Sequence, residues 1–281
     1  MEESVAIFER QPRCRRIFDV FHTRTVLIGC FALICCAALV GCAGFGGGLG
    51  SGPPLRVGVS PDYPPVVFES EGEIVGIEAD LARIVGESLN RPIEFSRYPF
   101  SELLDALERG DIDIVMSGLS VTPEREERVQ FTVPYMEVGQ LAVIRSRDIA
   151  RFGRIQGLRR VGARIGYQLG TTGEKFAATS LPRAASFGFE NIEAGLRSLR
   201  ADRIDYFIHD APTVWRLTGN LENRDLHGLY RPLTKEHLAW AVRREDSDLR
   251  RVLDVTLSHW KREGLIHPIV QRWIPVRVTI R

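Results

Sequence analysis

Beyond residue 42 the chain contains no cysteine: all five, Cys14, Cys30, Cys35, Cys36 and Cys42, fall in its opening stretch. The body of the protein is therefore without disulfides or thiol chemistry, and a cysteine-built metal site is excluded there. The six histidines are scattered, with no ligand-spaced pair on one expected face. Neither a metal nor a cofactor is expected. The 37 basic and 36 acidic residues leave a net charge of +1, which lacks the positive excess that would argue for a nucleic-acid partner. No repeat with a period of roughly 20 to 50 residues is present, so a solenoid is excluded. What remains, 44% hydrophobic and 26% charged over 281 residues, is the composition of an ordinary globular protein of one or two domains.

The amino terminus reads as an export signal. Arg13, Arg15, Arg16 and Arg24 precede an uncharged, largely apolar run over residues 25–41, a basic region followed by a hydrophobic one. The run is short of the about 20 apolar residues of a spanning helix, the alternative being a permanent anchor. Leu39-Val40-Gly41-Cys42 has the form of a lipobox, which places lipid on Cys42 after cleavage before it. Ordinary secretory cleavage a few residues later is the alternative. Residues 43–54, AGFGGGLGSGPP, are glycine-rich and uncharged and read as a flexible tether. The expected organisation is a signal peptide over 1–41, a tether over 42–54, and a mature domain held at a membrane by the Cys42 lipid, facing the periplasm or cell exterior.

Strands and helices alternate through the body. Strands are expected at 55–59, 93–98 and 112–116, with a hairpin turning at Glu71-Gly72-Glu73 and helices over 78–89 and 101–109. After Gly139 the chain changes domain. A strand over 140–145 and a charged loop over 147–160 lead to strands at 164–167, 185–189 and 204–208. Helices follow from Glu174 and over 192–200. A last strand over 238–242 precedes amphipathic helices over 247–263 and up to Trp273. This alternation predicts an α/β fold with mostly parallel sheets, in which ligands sit beyond the C-terminal strand ends.

Two strand ends carry chemistry. In MSGLSVTPER, residues 116–125, Ser117, Gly118 and Ser120 close a buried strand, and Thr122 and Pro123 open a helix with Arg125 in its first turn. Free N–H groups and a guanidinium suit a carboxylate, although an ordinary turn with a solvated arginine has the same sequence. The second half ends a strand at His209 and Asp210. Arginine in one half and aspartate in the other would suit a zwitterionic amino acid.

The order of LRVGVSPDYPP, GIEADLARIVGESL, MSGLSVTPERE, FTVPY, GYQLGTTGEKF and YFIHDAP resembles that of bacterial extracellular solute-binding proteins of family 3, the periplasmic amino-acid-binding components of ABC importers. The resemblance runs from residue 54 to 275. It implies a two-lobed clamp, lobe 1 from 55–138 plus 239–281 and lobe 2 from 139–238, joined by two hinge strands near 136–140 and 234–239. It also implies that the protein is a monomer that binds without chemistry and delivers to an ABC permease. By position, Arg125 would take the ligand α-carboxylate with Ser117, Gly118, Ser120, Thr171 and Thr172 around it. Asp210, beside His209, would take the α-ammonium, and Tyr63 and Phe100 would flank the side chain. Ser60 stands where basic-amino-acid binders tend to carry an acid, and Gly118 with His209-Asp210 resembles glutamine-type members, which favours a polar uncharged ligand such as glutamine. Asp62, Gln168 and Arg164 are positions that bear on this choice. Two other readings stay open: a secreted cyclohexadienyl dehydratase with Glu174 as general acid and His209 as helper, and an adaptor that signals to a receptor.

Overall fold

The computed structural model describes residues 52–274; the lipobox and Cys42 lie outside the described residues. The chain is α/β and forms two sheet-rich lobes. In the first, strand Leu55–Val59 is flanked in parallel by Ile93–Arg97 and Ile114–Val115; beyond the latter lies Ala241–Val242, reversed, and then Gln130–Phe131, antiparallel to Ala241–Val242. In the second, Arg164–Gln168 is flanked in parallel by Ala185–Phe189 and Tyr206–Asp210; beyond the latter lies Gln140–Arg145, reversed, and then Leu226–Leu229, antiparallel to Gln140–Arg145.

The two-residue period of a strand sorts side chains to opposite faces, and here both faces are covered. Strand Gln140–Arg145 is buried throughout. Leu141 and Val143 pack with Leu196, Leu199 and Val214 on one side, while Ala142 and Ile144 pack with Phe152, Ile165 and Ile208 on the other. In lobe 1, Ile114 and Met116 join Leu81, Val85, Leu253 and Leu257, and Ile112 and Val115 join Leu103 and Leu107.

The lobes are linked by an antiparallel pair, Met136–Val138 against Glu236–Leu238, with Glu236 opposite Val138. Gly139 lies where this pair enters lobe 2, and a Cβ there would come within 2.2 Å of the Thr234 carbonyl oxygen. Any larger residue would push the two crossings apart.

Three expectations are corrected. The strand expected over 238–242 is two, because the chain leaves the hinge pair at Leu238 and enters the lobe 1 sheet at Ala241. Between them Trp240 is fully buried and its N–H donates to the Thr132 hydroxyl at 3.1 Å. The strand expected over 112–116 is regular only at Ile114–Val115; just ahead of it the Asp113 carboxylate accepts the Arg56 N–H at 3.0 Å. The charged stretch over 147–160 is not a plain loop; it holds the short helix Ile149–Phe152 and a 3-10 turn at Ile155–Arg159, anchored by buried Phe152 and Leu158.

Candidate functional site

Strand ends from both lobes converge on one cavity. From lobe 1, Leu55–Val59 delivers Asp62 and Tyr63, and Ile114–Val115 delivers Gly118 and Ser120. Helix Pro123–Glu126 is a single turn, capped by the Thr122 hydroxyl, which accepts the Arg125 N–H at 3.3 Å. From lobe 2, Arg164–Gln168 leads to Thr171, whose hydroxyl caps helix Thr172–Ser180, and Tyr206–Asp210 ends on His209 and Asp210. The cavity at their meeting point is about 20 Å³. That is room for about one water molecule, so an amino acid enters only by parting the lobes.

Arg125 Nη1 donates to the Ser120 carbonyl at 2.7 Å, and Nη2 crosses to the Gly170 carbonyl of lobe 2 at 2.9 Å. Its Cζ lies 5.5 Å from the centre of the Phe100 ring, a cation–π contact. Burial pulls the guanidinium down to about 10, still protonated at neutral pH. Its described hydrogen bonds go to carbonyl oxygens, so the charge has no carboxylate partner among the described residues.

Asp210 is 7% exposed and accepts from Tyr63 Oη of lobe 1 and from Gln140 Nε2. Burial raises its carboxyl to about 7, and the nearby Glu236 charge adds to this against the pull of Tyr63, Gln140 and Arg125. His209 Nδ1 accepts the Asp210 N–H at 2.8 Å, which places its proton on Nε2, 3.2 Å from Gln168 Oε1. Burial takes this imidazole down to about 3, so it is neutral. The Gln168 amide is thereby oriented to donate across the cleft to Asp62 at 2.9 Å. Asp62 also accepts from Ser60 Oγ at 2.9 Å, and burial raises its carboxyl.

The structure brings Tyr63, Phe100, Gly118, Ser120, Arg125, Thr171, Thr172, His209 and Asp210 around the cavity. Ser117 is the correction. It is fully buried, and its hydroxyl turns away to accept the Ser60 N–H at 2.8 Å, fixing the turn that carries Asp62. Gly118 adopts φ +64°, and a Cβ there would lie 2.2 Å from the Tyr63 ring. Glu174 is not in the lining; its carboxylate accepts the Gly170 N–H at 2.7 Å.

Sequence reasoning missed two residues. Gln140 begins a buried strand whose next four residues are apolar, and its amide donates to Asp210 and, at 2.9 Å, to the Thr172 hydroxyl. A polar residue heading a buried run was the available signal. Glu236, on the hinge strand, accepts from Ser120 Oγ at 2.6 Å and Thr172 Oγ1 at 2.7 Å.

Known proteins similar to this chain include amino-acid-binding proteins. The chain is 29% identical over 231 residues to ABC transporter arginine-binding protein 1 of Escherichia coli, covering 79% of this chain and 90% of that protein. It is 27% identical over 212 residues to a probable histidine-binding protein of Neisseria gonorrhoeae, covering 74% and 78%. Among solved structures it matches an ancestral amino acid-binding protein, a precursor of cyclohexadienyl dehydratase, with TM-score 0.73 and 29% identity over 78% of this chain and 95% of that one. It matches holo ArgBP from T. maritima with TM-score 0.68 and 30% identity over 74% and 90%. The family model matches residues 55–276, so the chain belongs to the bacterial extracellular solute-binding proteins, family 3.

Proposed function

We propose that this protein captures a free L-amino acid between its lobes outside the cytoplasm and passes it to an ABC permease, acting by binding alone. One observation carries the reading: a protonated arginine without a carboxylate partner among the described residues and a buried aspartate come from different lobes to one cavity. An α-carboxylate on Arg125 and an α-ammonium on Asp210 complete both charges only when the lobes close. The ligand therefore favours the closed form.

With the main chain so held, Asp62, Gln168 and His209 are left to read the side chain. They suit a polar group ending in N–H donors, of which glutamine is the first candidate. Arginine is the second reading, favoured by the Asp62 carboxylate in the lining and by the arginine-binding relative. A thermal-shift screen over the twenty amino acids tests both. A specific stabiliser supports capture, and no hit overturns it. Asp62→Asn should weaken arginine more than glutamine.

The dehydratase reading draws on the ancestral precursor structure, but its general acid, Glu174, is turned to the Gly170 N–H. Loss of prephenate or arogenate absorbance on incubation with the protein would reinstate it. Lipid attachment at Cys42 is part of the proposal; fatty-acid labelling that persists in Cys42→Ala would remove it.

A further inference from the structure

Glu236 lies on the hinge strand Glu236–Leu238, is 9% exposed and does not line the cavity. Its Oε2 accepts from Ser120 of lobe 1 at 2.6 Å and from Thr172 of lobe 2 at 2.7 Å, and its Oε1 accepts from Thr234 at 2.5 Å. One carboxylate oxygen thus ties the two lobes to the hinge between them. Each hydroxyl has one proton, so Ser120 and Thr172 are committed as donors to Glu236. Thr172 in turn accepts from Gln140 at 2.9 Å, and Gln140 also donates to Asp210. The bonds run in one direction at each step, from the Gln140 amide through the Thr172 hydroxyl to Glu236.

We infer that Glu236 is an interlobe clasp, a positioning residue that lowers the free energy of the closed form and so sets affinity without touching the amino acid. The inference rests on the capture reading above for its effect on affinity, but not for its effect on shape. Hydrogen bonds to a charged acceptor are the stronger class, and since Ser120 is held beside the hinge strand by its bridge to Leu238, the Thr172 bond is the one that exists only when the lobes meet. A fall in the closed population lowers apparent affinity in proportion. The clasp also changes how the ligand carboxylate is held. With both hydroxyl protons engaged, Arg125 and backbone N–H groups carry it.

The test compares wild type, Glu236→Gln and Glu236→Asp by small-angle X-ray scattering, without amino acid and with saturating L-glutamine or L-arginine. The Gln variant loses the charge, and the Asp variant keeps it but is one methylene too short to reach both hydroxyls. Both should have a larger radius of gyration than wild type without amino acid and return towards it when saturated. Calorimetry should show binding weakened roughly 10- to 100-fold. Unchanged scattering in both variants overturns the clasp. Tighter binding by Glu236→Gln also overturns it, since that is the result expected if Glu236 competed with the ligand carboxylate. If neither probe binds wild type, the ligand assignment fails, and the scattering of the three proteins still decides the clasp.

Discussion

Burial acts on the two charged ends of the site in different ways. Arg125 stays cationic even when drawn down to about 10, whereas Asp210, raised to about 7, is part-protonated at neutral pH. An α-ammonium needs the Asp210 carboxylate ionised, so below about pH 7 binding must first expel a proton. Affinity should then fall by up to about tenfold per pH unit. Calorimetry from pH 5.5 to 8 checks this, and Asp210→Asn should bind weakly with no such slope. A pH-independent wild-type affinity would remove Asp210 from the ammonium site. Arg125→Ala should cost about 2–5 kcal/mol of binding, because the ligand carboxylate would be buried without its partner. Unchanged affinity would take the carboxylate elsewhere. These two residues were legible in the sequence because Asp210 ends a strand of strong apolar pattern and Arg125 sits in the first turn of the helix that follows another. Ser117 was misread for a related reason. Met116 N–H still reaches the Gly58 carbonyl at 3.1 Å, but past it the strand ends, and the Ser117 hydroxyl turns back to the Ser60 N–H.

At the scale of elements the lobes share a brace. In lobe 1 the Asp113 carboxylate accepts the Arg56 N–H at 3.0 Å and its guanidinium at 2.6 Å, while Asp113 N–H returns to the Arg56 carbonyl at 2.8 Å. In lobe 2 Asp205 accepts the Arg164 N–H at 3.0 Å and guanidinium at 2.6 Å, with its own N–H on the Arg164 carbonyl at 2.8 Å. Each brace joins the start of an interior strand to the residue leading into the strand paired beside it. Burial alone would raise both aspartates, and the hydrogen bonds from their arginines outweigh it, so both titrate below the usual range. Their stabilisation is present above the unfolded carboxylate range and lost as pH falls through the folded value. Asp113→Ala or Asp205→Ala should each cost about 2 kcal/mol, read as a lower midpoint in urea unfolding at neutral pH. A change under a few tenths would make the braces incidental. The alternation of halves was readable from apolar spacing. The hinge was less so: Glu236–Leu238 and Ala241–Val242 are nearly continuous in sequence but belong to different sheets. Gln140 and Glu236 also act on groups far away in the chain, and no local period encodes that.

For the whole molecule, buried acids set the direction in which stability moves with pH. Glu78 is fully buried, accepts the Gly118 N–H behind the binding motif and is raised to about 8, chiefly by burial. Its other carboxyl oxygen, the Tyr135 hydroxyl and the Trp240 indole N–H have no described partner. Those two rings flank the hinge strands, so this acid underlies both the site and the hinge. Folded Glu78 and Asp210 hold protons that the unfolded chain releases near pH 4. Their contribution is full below that range and is lost as pH rises towards 7 and 8. His209, neutral down to about 3, works the other way, but only below the ordinary histidine range near 6.5. Between pH 6.5 and 8 the acids act alone among these groups, and each removes up to about 1.4 kcal/mol per pH unit. Melting temperature without amino acid should therefore fall across that interval, by about 2–4 °C per kcal/mol for a chain of this class. Glu78→Gln should flatten the fall, and a slope unchanged in that variant would assign it to other groups. A bound amino acid needs Asp210 ionised, which the rising pH supplies, so the thermal shift it produces should be larger at pH 8 than at 6.5. The protein would thus be least stable when empty under the conditions in which it binds best, and the bound amino acid would offset the loss by closing the lobes.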